Sequence, residues 1–197
     1  MGKLYAIIGA SGSGKSTIGQ YVFGKEKELV STTTRTMRPN EVNGKHYHFV
    51  NKEEFMLKAS LSKFAETDYY DGEYYGLTHD EIWKKTHSGD AFVVITYAGY
   101  LQIKELHENT IAVFIDASKE HVEAMLKGRN DTKIKERLAL YDREIENRKD
   151  CDYVIRNEFG RMDSAVFQLL CLVRDDMETF HKLSGVSTIV DEVEIDG

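Results

Sequence analysis

Residues 9–16 read Gly9-Ala10-Ser11-Gly12-Ser13-Gly14-Lys15-Ser16, and no other run constrains this chain as tightly. The run fits G-x-x-x-x-G-K-[ST], directly after a short apolar segment at residues 3–8 and before a helix-like stretch at residues 16–23. The glycines let successive backbone N–H groups turn inward around phosphate oxygens, at the positive end of a helix dipole. Lys15 adds a point charge for the outer phosphates, and the Ser16 hydroxyl suits a Mg²⁺ ion. A glycine turn with an incidental lysine is the plain alternative, and the strand–turn–helix setting disfavours it. The loop reads as a nucleoside triphosphate site.

At 197 residues, and about 150 per domain, the chain has room for one domain with appended lids. With 41% hydrophobic and 30% charged residues it can bury a core, which excludes a wholly disordered chain. Acidic side chains outnumber basic ones, 33 to 26, for a formal charge of −7, so no nucleic-acid partner is expected. The longest apolar run, residues 91–98, already contains Thr96, and no membrane span is expected. The amino terminus lacks the pattern of an export signal. Cys151 and Cys171 lack metal spacing and sit in segments that read as core, so the expectation is a reduced, cytoplasmic protein.

Further β-type runs at residues 91–96, 110–116 and 153–156 alternate with helical segments, the last a long helix at 162–183. That alternation argues for a parallel sheet covered on both faces. Residues 31–90 break the rhythm: tyrosine-rich, with the only proline, Pro39, they read as a mostly antiparallel insertion with two short helices. Asn51 with Glu54, and Thr78 with Glu81, have capping-box spacing and should start those helices. A second insertion near residues 128–132 precedes a helix at 133–149. On that helix Ile134, Leu138, Tyr141 and Ile145 share one face, with Arg137, Glu144 and Arg148 along its flank. Arg148 by itself reads best as a solvated residue with i,i+4 links. The tail, residues 191–197, reads as frayed.

Residues 31–49 carry the second motif. Arg35 and Arg38, followed by Tyr47, suit a small dianionic phosphate, because guanidinium forks bind it with charge-assisted hydrogen bonds. By spacing alone, a solvated arginine pair in a loop would serve as well. Read together, however, Ser31, Thr33, Thr34, Arg35, Arg38, Glu41, Gly44 and Tyr47 meet the pattern S-x-T-T-R-x-x-R-x-x-E-x-x-G-x-x-Y, and the chain resembles the guanylate kinase family. Phe64-Ala65-Glu66 and Tyr74-Tyr75-Gly76 are similar to that family's base-contacting glutamate and its YYG. Gly128-Arg129, then Arg137-Leu138 with Glu144, resembles its lid, a few residues short between the arginines. The segment 153–157, ending in Asn157, resembles its last strand. The similarity spans most of residues 3–183, in order.

The resemblance implies a P-loop kinase of the α/β class. It would have a five-stranded parallel sheet flanked by helices, a small α+β insertion for the monophosphate, and a helical lid. The core would comprise residues 1–30, 91–127 and 150–190, the insertion 31–90, and the lid 128–149. The implied reaction is ATP-dependent phosphorylation of a purine nucleoside monophosphate, GMP or dGMP foremost, with Mg²⁺. ATP would be held by Gly9, Ala10, Ser11, Gly12, Ser13, Gly14, Lys15, Ser16 and Thr17, with Arg129 and Asn157, and Mg²⁺ by Ser16. The acceptor would be held by Ser31, Arg35, Arg38, Glu41, Tyr47, Glu66 and Tyr75, with Glu66 and Ser31 reading a guanine edge. Lys15, Arg38 and Arg137 would act in catalysis. The implied partners are ATP and a nucleoside monophosphate, for a monomer or a homodimer.

Two departures stand out. The family usually carries two aspartates, D-x-D, at the end of the strand after the insertion; here those positions hold Ile95 and Tyr97. Its small hydroxyl residue after YYG is Leu77, and the adjacent Thr78 already has a capping role. Three readings follow: a kinase with altered or relaxed base choice, a guanylate kinase whose carboxylates come from elsewhere (Asp116 being a candidate), or a non-catalytic nucleotide-binding module. The intact phosphate loop argues against the last.

Overall fold

The computed structural model describes residues 1–129 and 131–184; the tail expected to fray lies outside them. Strand β1 (Leu4–Ile8) is buried along its whole length, as a strand covered on both faces must be. It lies between β6 (Ala91–Val94) and β7 (Thr110–Asp116), and β8 (Tyr153–Arg156) adds to the far side of β7. All three pairings are parallel, with Leu4 opposite both Ala91 and Thr110. Alternation along β1 divides the core. Leu4, Ala6 and Ile8 join Tyr100 and Ile103 on one face, while Tyr5 and Ile7 join Ile18, Ala165 and Leu169 on the other. Helices α1 (Lys15–Phe23), α4 (Tyr97–Leu106), α5 (Lys119–Gly128) and α7 (Met162–Val173) cover the sheet.

The core sheet has four strands, not the expected five. The fifth position is reduced to one bridge, Glu28 beside Phe92, with the Leu29 N–H on the Phe92 carbonyl at 2.9 Å. Two residues on, the chain leaves that edge: the Val30 N–H goes to the Glu81 carboxylate at 3.0 Å. Strand β2 (Thr32–Thr33) then pairs in the second sheet. The segment divides its hydrogen bonds between two sheets, so neither gains a full strand from it.

That second sheet runs β3 (His48–Phe49), β2, β5 (Glu73–Thr78), β4 (Phe64–Tyr70). Its β4–β5 hairpin is antiparallel, whereas β2 and β3 run parallel. Helix α2 (Lys52–Ser60) starts on the expected Asn51–Glu54 capping box. Helix α3 (His79–His87) has only half of one: Thr78 accepts the Glu81 N–H, but the Glu81 carboxylate is taken by Val30.

Helix α6 (Ile134–Glu146) is shorter than its periodicity predicts and tightens to a 3₁₀ turn at Asn147–Asp150. Ile134, Leu138 and Tyr141 pack on Ala10, Ala117, Val122 and Leu126, which fixes the helix beside the phosphate loop. The single long terminal helix is in fact two, α7 and α8 (Met177–Ser184). Asp175 at φ 56° breaks it, and the Asp176 carboxylate then accepts the Thr179 N–H, restarting the helix. Cys171 is buried and Cys151 half-buried, both as free thiols. Among the described residues no helix is long and apolar enough to cross a membrane.

Candidate active site

The phosphate loop joins β1 to α1 as its sequence requires. Gly14 has φ +92°, and a Cβ there would come within 2.8 Å of the Asn157 side-chain nitrogen. That nitrogen donates to the Ser13 carbonyl at 2.8 Å, so the glycine lets the end of β8 clamp the loop. Lys15 Nζ donates to the Gly9 and Ala10 carbonyls at 2.6 and 2.8 Å. Desolvation, together with nearby Arg129 and Arg137 and against the pull of Glu144, lowers its pKa to about 8. Ser16 and Thr17 are exposed in the first turn of α1. Beside Asn157 opens a cavity of about 480 Å³ lined by His121, Met125 and Phe159, within the usual range for small-molecule sites.

Arg35 and Arg38 are held differently. Arg35 forms a two-pronged pair with Glu41, at 2.7 and 3.0 Å, and its guanidinium lies 5.3 Å from the Tyr47 ring centre. Tyr75 meets Tyr47 edge-on at 6.0 Å. Although desolvation pushes Glu41 upward, the Arg35 fork and the Arg38 N–H hold it below the usual carboxylate range. Glu41 is thus a brace for Arg35. Arg38 is exposed, and among the described residues its guanidinium has no acidic partner. Desolvation and the repulsion of Arg35, Arg137 and Arg129 hold it below its ordinary value.

Arg129 and Arg137 add to this charge. Arg137 and Arg129 both donate to the Ser11 hydroxyl, and Asp131 ties them together at 3.2 and 2.7 Å. Asp71, at the tip of the β4–β5 hairpin, pairs with Lys133 at 3.2 Å and Arg137 at 3.5 Å. The Tyr70 hydroxyl donates to Glu144 at 2.8 Å. Burial raises the Glu144 carboxyl above its ordinary value, opposed by Tyr70, Lys15 and the Ser11 N–H. The β4–β5 hairpin, α6 and the phosphate loop therefore meet at one place. Tyr70, Asp71 and Asp131 were absent from the sequence reading; only the position of Asp131, between two lid arginines, could have pointed to it.

Deeper in the cleft, Glu66 is 3% exposed, and its Oε2 has no partner among the described residues. Desolvation and neighbouring Asp68 push its pKa up to about 8, against the pull of the Leu77 N–H. Ser31, half-buried, directly precedes β2. Leu77 lies opposite Glu66 in the strand register, but its side chain is wholly buried with Ala65, Ile82 and Tyr100, as an apolar wall. Ile95 and Tyr97 pack against that same cluster. Asp116, the candidate replacement for the aspartates, pairs with Arg148 at 2.8 Å. The expected local links of Arg148 give way to this contact with the end of β7.

A titration follows from Glu66. Its carboxyl ionises near 4.5 when unfolded and near 8 when folded, so between those values the folded chain holds the extra proton. The stability contributed by this group therefore falls as pH rises through that window. Glu66→Gln should remove that penalty, and the unfolding free energy of the variant relative to the parent should rise from about pH 5 to about pH 8. Denaturant titration of both proteins without nucleotide checks this, and a flat difference would mean Glu66 is well solvated.

A phosphate loop on a parallel sheet, facing arginines from an insertion and a lid, defines a P-loop phosphotransferase that works on a phosphorylated acceptor. The family model described as Guanylate kinase matches residues 1–175. The chain is 35% identical over 197 residues to the guanylate kinase of Shewanella oneidensis, covering 95% of this chain and 92% of that one. It is 33% identical over 180 residues to that of Paraburkholderia xenovorans, covering 87% and 79%. A crystal structure of guanylate kinase from Anaplasma phagocytophilum shares the fold, with a TM-score of 0.72 at 24% identity, over 89% of this chain and 86% of that one. The chain belongs to the guanylate kinase family, and it is a kinase.

Proposed function

We propose that this protein transfers the γ-phosphoryl group of ATP to GMP in the cytoplasm. The observation that carries the reading is the contact of Arg129 and Arg137 with Ser11 of the phosphate loop, with Arg35 and Arg38 close enough for Arg38 to feel the charge of the other three, in a chain whose net charge is −7. Glu41, Asp71 and Asp131 hold three of these guanidiniums in place, and Arg38, with no acidic partner among the described residues, leaves positive charge for a nucleotide phosphate group to neutralise. Phosphoryl transfer asks the protein mainly for alignment and for neutralisation of charge.

In this reading the loop from Gly9 to Thr17 cradles the ATP phosphates, and Asn157 borders the cavity for its base. Arg35, Arg38, Tyr47 and Tyr75 grip the acceptor phosphate, while Glu66 accepts two N–H groups from the guanine edge, assisted by Ser31. Arg129 and Arg137 close the lid and exclude water. Among the described residues no cluster of three acidic, histidine or cysteine side chains could hold a metal. The exposed Ser16 hydroxyl in the first turn of α1 fits Mg²⁺, which takes few protein ligands and keeps its waters: Ser16 would hold it alongside the nucleotide's own oxygens. When bound, the ion would neutralise phosphate charge.

ADP release from ATP should be stimulated most by GMP across a panel of ribo- and deoxynucleoside monophosphates, and should stop when EDTA removes Mg²⁺. Stimulation by no monophosphate would favour a binding module instead.

A further inference from the structure

We propose that Asp68 is a second base-reading carboxylate of the acceptor pocket, selecting a base whose exocyclic amine stands beside a ring N–H. The proposal rests on the assignment of GMP as acceptor. After the bulge at Phe64–Glu66, the β4–β5 register is regular, with Glu66 opposite Leu77 and Asp68 opposite Tyr75. Residues two apart on a strand share a face, so Glu66, Asp68 and Tyr70 line one side of the hairpin. Asp68 stands midway, between the buried Glu66 and the contact of Tyr70 with the lid.

The Asp68 carboxylate is fixed from across the cleft. Its Oδ2 accepts the Thr96 hydroxyl, and its Oδ1 accepts the Tyr69 N–H at 2.8 Å. Thr96 caps α4, where its oxygen accepts the Gly99 N–H at 3.1 Å, so its only hydroxyl proton is committed to Asp68. Glu66 reaches the same helix end: a Cβ on Gly99 would lie 3.0 Å from its Oε2, an approach that glycine permits. The positive end of the α4 dipole favours carboxylates there. Thr96 stands between Ile95 and Tyr97, at the strand end where D-x-D is usual. The insertion thus delivers to that point a carboxylate that β6 itself does not carry.

Two carboxylates at one helix end, one with a buried oxygen lacking a partner among the described residues, ask for a ligand edge made only of donors. The edge of guanine offers one ring N–H and two amine N–H groups. Glu66 can accept the ring N–H and one amine hydrogen, which leaves the second amine hydrogen for a spare lone pair of Asp68. Hypoxanthine has the ring N–H but no amine, and adenine puts a ring acceptor where Glu66 needs a donor.

The test compares GMP, IMP and dGMP as acceptors for the full-length protein and for Asp68→Ala and Asp68→Asn, with unfolding midpoints confirming the fold. The ratio of kcat/KM for GMP over IMP should fall about tenfold in Asp68→Ala. It should fall less in Asp68→Asn, which keeps one acceptor oxygen. Calorimetric titration with GMP and IMP should show the same loss in affinity. An unchanged GMP-to-IMP ratio overturns the proposal, whether both acceptors weaken together or the Mg²⁺ requirement shifts instead. A change confined to the GMP-to-dGMP ratio assigns Asp68 to the sugar and also overturns it. If the parent protein phosphorylates none of the three, the GMP assignment itself has failed, a result separable from any behaviour of the variants.

Discussion

Lys15→Ala should lower kcat by about a thousandfold while the protein stays folded. Among the described residues its ammonium donates to the Gly9 and Ala10 carbonyls of its own loop, so truncation removes no hydrogen bond between elements there. In the reaction the ammonium would leave those carbonyls for the phosphoryl oxygens, where negative charge shifts as the bond to the leaving oxygen lengthens. Losing one preorganised donor at such a centre costs roughly 10²–10³ in kcat, and loss of a full charge in a desolvated site belongs at the upper end. Although its pKa is lowered to about 8, the group is still mostly charged at neutral pH, and phosphates would raise the value again. Steady-state kinetics with GMP and Mg·ATP, alongside thermal unfolding, check this. A loss of less than about tenfold would remove Lys15 from the chemistry.

What could be read from the sequence was mostly local. The phosphate loop is one contiguous turn whose glycines and lysine carry their own reason, and the arginine motif is nearly contiguous too. The Asn51–Glu54 cap and the apolar stripe of α6 likewise depend only on neighbours in sequence. Register and competition between elements stayed hidden. The resemblance implies a fifth strand, yet Val30 is drawn to Glu81, 51 residues away, and that strand shrinks to the one bridge at Glu28. The terminal apolar periodicity runs on past Asp175, and nothing in it reveals that a left-handed residue and a new cap divide the helix. The contact of Asp68 with Thr96 spans 28 residues and depends on which residues of β4 face α4, a parity set by the bulge.

Arg35 and Arg38, proposed to grip the acceptor, should separate in their effects. Arg38→Ala removes a guanidinium that no carboxylate braces among the described residues, so it should raise the KM for GMP and reduce kcat, through loss of both charge and alignment. Arg35→Ala does more harm, because Glu41 then keeps a half-buried carboxylate with its main partner gone, beside the place proposed for a dianionic phosphate. A loss of about 10²–10³ in kcat/KM for GMP is expected for Arg35→Ala, with the KM for ATP nearly unchanged. Arg35→Lys should recover little, since a point charge cannot reproduce the fork that engages Glu41 and phosphate together. Removing the brace as well should help: Arg35→Ala with Glu41→Ala should bind GMP better than Arg35→Ala alone, because the repelling carboxylate is gone. A double-mutant cycle on GMP affinity measures that coupling directly. If the two losses simply add, Glu41 does not act through Arg35; if ATP affinity falls as far as GMP affinity, both residues belong to the other nucleotide.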